Sequence, residues 1–480
     1  MGRGNDTVNE AIRGSAPNRL AIDPAADEGL PMPHRAWAIA SVALAIAMCV
    51  LDSSIANVAL PVIAREFGAA PADSVWIVNA YQLAIVIALL PLASLGERVG
   101  YRRIYLVGLS VFIVASLACA LSRSLPALTL ARTLQGFGAA GVMSVNGALV
   151  RFIYPGRLLG QGVGLNAMVV SVTAAIGPSV ASAILAVGPW PWLFAVNIPV
   201  GVAALALAGR VLPGNPLSER PFDWLSALLN ALFFGLVIGG IDTVTRTAAK
   251  AWGAVELAIG VAAGVILARR EWSRPRPLVP FDLLRDRTFA LSVLTSVASF
   301  AAQMLAFVSL PFHFELSLHR TQVATGLLLT PWPAAVAVAA PLAGRLADRI
   351  SSPLLCAIGL LALTAGLAAL ALLRADASSL DIAWRMALCG AGFGFFQAPN
   401  NRMMLTAAPR ERAGAAGGML GTARLTGQTM GAVLTAIALG WFGARGEVVA
   451  LTLAAGFALV AAALSALRLT PGRRAGVVSS

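Results

Sequence analysis

From about Trp37 to Leu469 the chain alternates long apolar runs with short polar breaks. The runs are about 20 residues each, the length an α-helix needs to cross the roughly 30 Å hydrocarbon core of a bilayer. Fourteen spans are predicted, starting near Trp37, Ser74, Ile104, Ala127, Gln161, Trp192, Phe222, Trp252, Phe289, Gln322, Pro353, Asp381, Ala413 and Glu447. The break TRTAAK between the seventh and eighth is the weakest separation, and twelve is the competing count. Before the first run, residues 1–35 contain no apolar core resembling a signal peptide and are expected to form a polar tail, as are residues 470–480.

Composition agrees with the pattern: 58% of the 480 residues are apolar and 12% charged, where a soluble protein carries about a quarter charged residues. The net charge of +13 changes the picture only through its placement. With the N-terminus inside, 25 of the 35 Lys and Arg residues fall on the cytoplasmic side, 7 outside and 3 (Arg132, Arg385, Arg424) within spans. That asymmetry is the positive-inside bias of a polytopic membrane protein, so the basic charge reports topology and not nucleic-acid binding.

Several chemistries are excluded. The only lysine is Lys250, so no GxxxxGK[ST] phosphate loop exists and the chain cannot itself hydrolyse ATP through one. Three histidines form no HExxH pair, and there is no GxSxG elbow. The four cysteines are isolated within apolar spans and suggest packing, with neither a metal site nor a disulfide frame. No cofactor is expected, and any work must draw on a gradient or a partner.

The chain also repeats itself. PLASLGERVGYRR (91–103) after the second span is echoed by PLAGRLADRISSP (341–353) after the tenth, each with an acid directly before an arginine, Glu97-Arg98 and Asp348-Arg349. LARTLQGFGAAG (130–141) is echoed by AWRMALCGAGFG (383–394), each an arginine followed by small residues. The organisation read from this is an N-terminal six-helix bundle (36–211), two extra helices with a cytoplasmic linker (212–288) and a C-terminal six-helix bundle (289–469), a parallel-repeat plan used by secondary transporters.

At these residues the chain resembles the major facilitator superfamily, and within it the fourteen-span drug/proton antiporter group. LDSSIANVALP (51–61) resembles the group's first-span signature, SVWIVNAYQLA its second-span pattern, LARTLQGFGAAG its fourth-span arginine motif and GPSV (177–180) its fifth-span antiporter motif. WPWLFAVNIPVG and AGAAGGMLGTARLTGQTMG also read like this group, and the likeness runs from about Ala36 to Leu469. It departs in the first loop, which has Ala93, Glu97 and Tyr101 where the group has glycine, aspartate and a basic residue. It departs again in the antiporter motif, with Thr173, Ala181 and Ser182 where glycines are usual. The resemblance implies a facilitator fold in the bacterial cytoplasmic membrane with both termini inside. It also implies a cytoplasmic gate loop (Glu97, Arg98, Gly100, Arg102, Asp348, Arg349) that closes the inner side, and a tight fifth-span contact through Gly164, Gly177 and Pro178 that seals against leak. Ordinary topology charge accounts for the arginines of the loop but not for the repeated acid-arginine order.

Candidate chemistry follows from depth. Asp52 lies eight residues from the outer end of span one, about 12 Å down at 1.5 Å per residue, and a carboxylate there costs about 2.5–3.5 kcal/mol on the lenient insertion scale. Arg132 and Gln135 share a face of span four at about 8 and 12 Å down, and Asn79 and Gln82 share one on span two at comparable depth. Asp52 and Arg132 are therefore expected to face one another, since a paired arginine is far less costly than a lone one. Two roles fit: a structural pair that fixes the packing, or a proton-coupling pair in which movement of Arg132 switches the carboxylate between ionised and protonated forms. Glu315 is the second candidate proton group. It lies two residues from His313, hence on a different face, and interfacial anchoring is the competing role. Gln397, Asn400 and Asn401 form a polar patch expected to face the cavity together with Asn79, Gln82 and Gln135. Asp223, Asp242 and Glu256 read as boundary charges of the extra spans.

The function expected from these features is proton-coupled efflux of hydrophobic or cationic drugs or small metabolites by alternating access through an apolar cavity. Its partners are substrate, protons and the lipid bilayer. The protein is expected to be a monomer, with envelope proteins as possible associates and no role as an enzyme. An uptake symporter or dedicated metabolite exporter is the rival within transport. A non-transporting receptor is disfavoured by the short polar tails.

Overall fold

The computed structural model describes residues 29–155, 158–218, 221–246, 250–272, 281–374, 376–407 and 413–469. Residues 1–28 of the expected 1–35 tail, the 470–480 tail and residues 247–249 of the TRTAAK break lie outside the described residues, and the first helix begins at His34, inside the expected tail. Fourteen long helices follow one another: α1 His34–Glu66, α2 Pro71–Val99, α3 Tyr101–Ala120, α4 Leu125–Ile153, α5 Leu159–Val187, α6 Trp192–Val211 and α7 Trp224–Arg246. They continue as α8 Lys250–Trp272, α9 Arg287–Ser317, α10 Gln322–Leu346, α11 Ser352–Ala371, α12 Ser379–Ala407, α13 Ala413–Phe442 and α14 Gly446–Ala466. No strand occurs among the described residues.

Each expected span corresponds to one of these helices, but they are not equally apolar. Twelve are long and apolar enough to cross a membrane, and α5, bent by 41° between Met168–Ala174 and Ile176–Val187, makes a thirteenth when taken as one span. Pro178 explains the bend, because it cannot donate the helical hydrogen bond to the carbonyl four residues earlier, at Ala174. The helix left out is α12, diluted by Asp381, Arg385, Gln397, Asn400, Asn401 and Arg402. It nonetheless packs on α10 and α11 as α4 packs on α2 and α3.

That correspondence is general. In the N-terminal set α3 packs on α4, α2 on α4, α1 on α5 and α6, and α3 on α6; in the C-terminal set α11 packs on α12, α10 on α12, α9 on α13 and α14, and α11 on α14. The seam between the sets is made symmetrically by α2 on α13 and α10 on α5, with α1 on α9 along the axis. The extra pair α7 and α8 pack on each other, and α7 lies on α2 and α13 at the seam. Asp223, Asp242 and Glu256 do more here than mark span ends. Asp223 accepts from the Ser226 amide at 3.2 Å and from Arg270 at 3.3 Å. Asp242 accepts from Trp76 Nε1 at 3.0 Å, tying α7 to α2. Glu256 accepts from Thr243 at 2.9 Å within the pair.

Lipid is as apolar as the side chains, so helix contact must come from close packing, which small residues permit. A Cβ on Gly138 would lie 2.5 Å from the Phe112 amide nitrogen, and one on Gly392 would lie 2.5 Å from that of Leu363, the same joint in the two sets. Gly138→Val is expected to destabilise the folded protein by about 1–3 kcal/mol, the usual penalty of overpacking. Thermal unfolding in detergent would measure it, with Gly147→Ala, where a Cβ meets nothing within 4 Å, as the neutral comparison.

Candidate functional site

Two faces of the bundle need names: the His34 face, where α1 begins, and the Glu66 face, where it ends. About halfway along α1, Asp52 is 1% exposed and Arg132 of α4 is fully buried. Arg132 Nη1 donates to Asp52 Oδ2 at 2.5 Å. The other carboxylate oxygen accepts from Gln135 Nε2 at 2.9 Å and from Asn197 Nδ2 at 2.7 Å. Arg132 also donates to Gln135 Oε1 at 2.5 Å and to the Ile77 carbonyl at 3.2 Å, and its guanidinium lies 4.0 Å over the Tyr81 ring. Gln135 donates to Ser116 Oγ at 2.8 Å. Five helices (α1, α2, α3, α4 and α6) thus converge on one neutralised ion pair. Removing two charges from water is worthwhile only when the remaining donors and acceptors are satisfied, as they are here.

The expected facing of Asp52 and Arg132 is therefore present, and Asn197 adds a donor that sequence reading missed. It lies in WPWLFAVNIPVG, at the start of Asn197–Val211, where the short helix Trp192–Ala195 gives way to the next. No periodic pattern flags such a residue.

Beside this cluster lies a cavity of about 180 Å³ between the two helix sets, far beyond the roughly 10–15 Å³ needed by one water. Its walls are largely apolar, with Phe300, Met304, Phe307, Trp332 and Phe393 from the C-terminal set facing Tyr81, Ile85 and Val170. Gln82 and Gln397 line it as expected. Asn79, Gln135 and Asn400 do not. Gln135 is engaged by the ion pair, and Asn79 is buried without bordering the cavity. Asn400 turns into its own helix set, donating to Ser296 Oγ at 2.8 Å and accepting from Arg468 at 2.7 Å. Polar cavity residues not foreseen include Ser53, Ser54, Asn57, Gln303 and Gln428, and Arg424, noted in sequence only as a charge within a span, also lines it.

The arginine echo between the halves fails by one residue. Gly136 and Gly390 occupy equivalent joints, their Cβ positions 2.5 Å from the Tyr81 carbonyl and 2.0 Å from the Trp332 carbonyl. Counting back four residues gives Arg132 in one half but Met386 in the other. Arg385, one position earlier, is rotated by about 100° of helix to a partly exposed ion pair with Asp381 at 2.9 Å. The buried charge pair belongs to the N-terminal set alone.

Glu315 and His313 pack inside the protein at the end of α9. Both are buried, at 8% and 3% exposure, because α9 ends in a π-helical turn over His313–Ser317 whose wider winding carries Glu315 onto α1. There it forms a 2.8 Å ion pair with Arg65 that joins the two helix sets at the Glu66 face. Ser179 and Thr330, 2.8 Å apart, join α5 to α10 across the same seam. Gly177 lets α5 approach α1, a Cβ there falling 2.5 Å from Ser54 Cβ. Pro178 lines the cavity, while the surroundings of Gly164 lie outside the described residues.

At the His34 face the loop residues are disengaged across the seam. Asp348 pairs with Arg402 of its own helix set at 2.6 Å, and both are exposed. Arg349, Glu97 and Arg98 are also exposed or at the surface, and Glu97 contributes its backbone carbonyl to Ser218. Gly100 turns the chain with φ +104°, a conformation open to glycine, and Arg102 donates to the Gly209 carbonyl. Glu315→Gln is expected to weaken closure at the Glu66 face by about 1 kcal/mol, because Arg65 remains half exposed and water-screened. A spin-label pair at Glu66 and Leu316 would report this as a several-fold rise in the longer-distance population.

Two helix sets repeating one packing scheme, joined along a seam that holds an apolar cavity beside a charge pair buried in the N-terminal set, define a polytopic membrane transporter. The chain belongs to the Major Facilitator Superfamily, whose description matches residues 42–432. It is 53% identical over 448 residues to the uncharacterized transporter YebQ of Escherichia coli (strain K12), covering 93% of this chain and 98% of that protein. It is 33% identical over 417 residues to the multidrug resistance protein Stp of Mycobacterium tuberculosis (strain CDC 1551 / Oshkosh), covering 84% and 76% of the two chains. In fold it is similar to a bacterial homologue of the human lysosomal transporter Spinster in an inward-facing, unoccupied conformation, with TM-score 0.65, 15% identity and 91% and 97% coverage.

Proposed function

We propose that this transporter exports small apolar molecules from the bacterial cytoplasm across the inner membrane in exchange for protons, with Asp52 as the proton-carrying group. The observation that carries this reading is the sharing of Tyr81 between the two sites. Its ring lines the cavity and stacks on the Arg132 guanidinium that holds Asp52. A substrate pressing on Tyr81 displaces the arginine. A carboxylate ringed by donors is stable as the ion, whereas one left in hydrocarbon without its guanidinium favours the protonated acid. Substrate and proton then compete through one side chain, as antiport requires. The name of Stp supports an efflux role, and the Arg65–Glu315 pair supports a form closed at the Glu66 face, which this reading makes the outer one.

The expected preference for cationic substrates finds no acid among the described residues that line the cavity, so the proposal is restricted to the apolar body of the substrate. Transport into inside-out vesicles under an imposed proton gradient tests it. Wild type should accumulate an apolar dye only with the gradient present, and Asp52→Asn should not. Accumulation that ignores the gradient in wild type overturns the reading.

A further inference from the structure

We infer that Arg424 makes the central cavity a receptor for amphipathic anions: an apolar body carrying one negatively charged group such as a carboxylate. This rests on the transport reading above and names its substrate class.

Arg424 lies on α13, a helix whose other polar side chains are mostly hydroxyls bonded to their own backbone. Its side chain is half-buried and lines the cavity near Gln428, one helical turn along the same face. Its Nε has no hydrogen-bond partner, and no described acid pairs with the guanidinium. The nearest chemical rival for that role, Asp52, is sealed behind Tyr81 by Arg132, Gln135 and Asn197. A fixed, unpaired cation within a membrane bundle is costly and seeks a counter-charge. Here Arg424 borders the cavity, which is where a counter-charge would enter. An arginine presents a fork of N–H donors matched to a carboxylate, and the Gln82, Gln303 and Gln397 amides on the surrounding walls offer further donors for the same group. Interleaved with these amides on the same helices are Phe300, Phe307 and Phe393, which with Trp332 suit an aromatic or aliphatic body. An ammonium ligand would meet a like charge and no acid.

Three probes with one body separate the headgroups: 2-naphthoate, 2-naphthalenemethanol and 2-naphthylmethylammonium. Binding of each to the full chain in phosphatidylcholine nanodiscs at neutral pH is measured by calorimetry. Naphthoate should bind at least tenfold tighter than the alcohol, and the ammonium most weakly. Arg424→Gln should bring naphthoate and alcohol to within about twofold, and Arg424→Lys should keep part of the preference. Equal affinities in wild type, tighter binding of the ammonium, or a preference that survives Arg424→Gln would each overturn the inference. The wild-type ranking decides even if the variants fail to fold. Repeating the series in phosphatidylglycerol discs identifies the anion source. Loss of naphthoate binding there that Arg424→Gln does not share would assign the site to membrane lipid and overturn the small-molecule inference. The two readings fail separately. Gradient-driven export of the alcohol with no charge preference would refute only the anion inference, while an intact binding preference with no gradient-driven transport would refute only the antiport reading.

Discussion

Arg132→Met is expected to destabilise the protein by about 3–5 kcal/mol, the cost of leaving one member of a buried ion pair uncompensated. Methionine fills much of the stem volume, so the loss comes from chemistry and not from a cavity. Asp52 keeps two donors, Gln135 and Asn197, but loses the only cation facing it, and Gln135 Oε1 loses its short contact. The double change Asp52→Leu with Arg132→Met removes both charges and should recover most of this loss. Recovery stops short of wild type because Asn197 then has no acceptor, a buried unmet donor costing about 1–3 kcal/mol. Thermal unfolding of the four proteins in nanodiscs closes the cycle. A single Arg132→Met variant within 1 kcal/mol of wild type would mean that water reaches Asp52, and the site would then not be the dry cluster described.

The parts legible in sequence and the parts hidden from it divide along physical lines. Depth along a helix is set by a fixed rise, so counting residues from span ends sufficed to bring Asp52, Arg132 and Gln135 to one level. Rotation about the helix axis is less forgiving. A one-residue offset separates Arg385 from the position equivalent to Arg132, and that offset carries it from the interior to the rim. Asn400 and Gln397 are likewise three apart on α12, yet only Gln397 reaches the cavity, because the Ser292 and Ser296 oxygens of α9 capture the other. Departures from regular helix were the other hidden class. The π-helical turn that buries Glu315 has no compositional mark, and Asn197 stands where two helical segments meet. Arg65 could be counted only as a loop charge, since its partner lies 250 residues away in sequence.

Asp52→Asn is expected to separate exchange from driven transport. Each pH unit of gradient is worth about 1.4 kcal/mol per proton, so a two-unit gradient supports roughly hundredfold accumulation at one proton per substrate. In the variant the ratio should fall to about one, because the amide has no proton to take up or give. Its oxygen can still accept from Arg132, while the amide nitrogen meets donors from Gln135 or Asn197, which should lower stability by about 1–3 kcal/mol without unfolding the bundle. Substrate binding uses Tyr81 and the cavity walls and not the carboxylate, so exchange of labelled for unlabelled substrate without a gradient should persist within about tenfold of wild type. The pairing of those two results is what discriminates. Loss of both would make Asp52 a structural counter-ion for Arg132, and retention of gradient-driven accumulation would move the proton to another group, with Glu315 next in line as a buried acid bonded across the seam. The coupling assignment stands only if driven accumulation disappears while exchange remains.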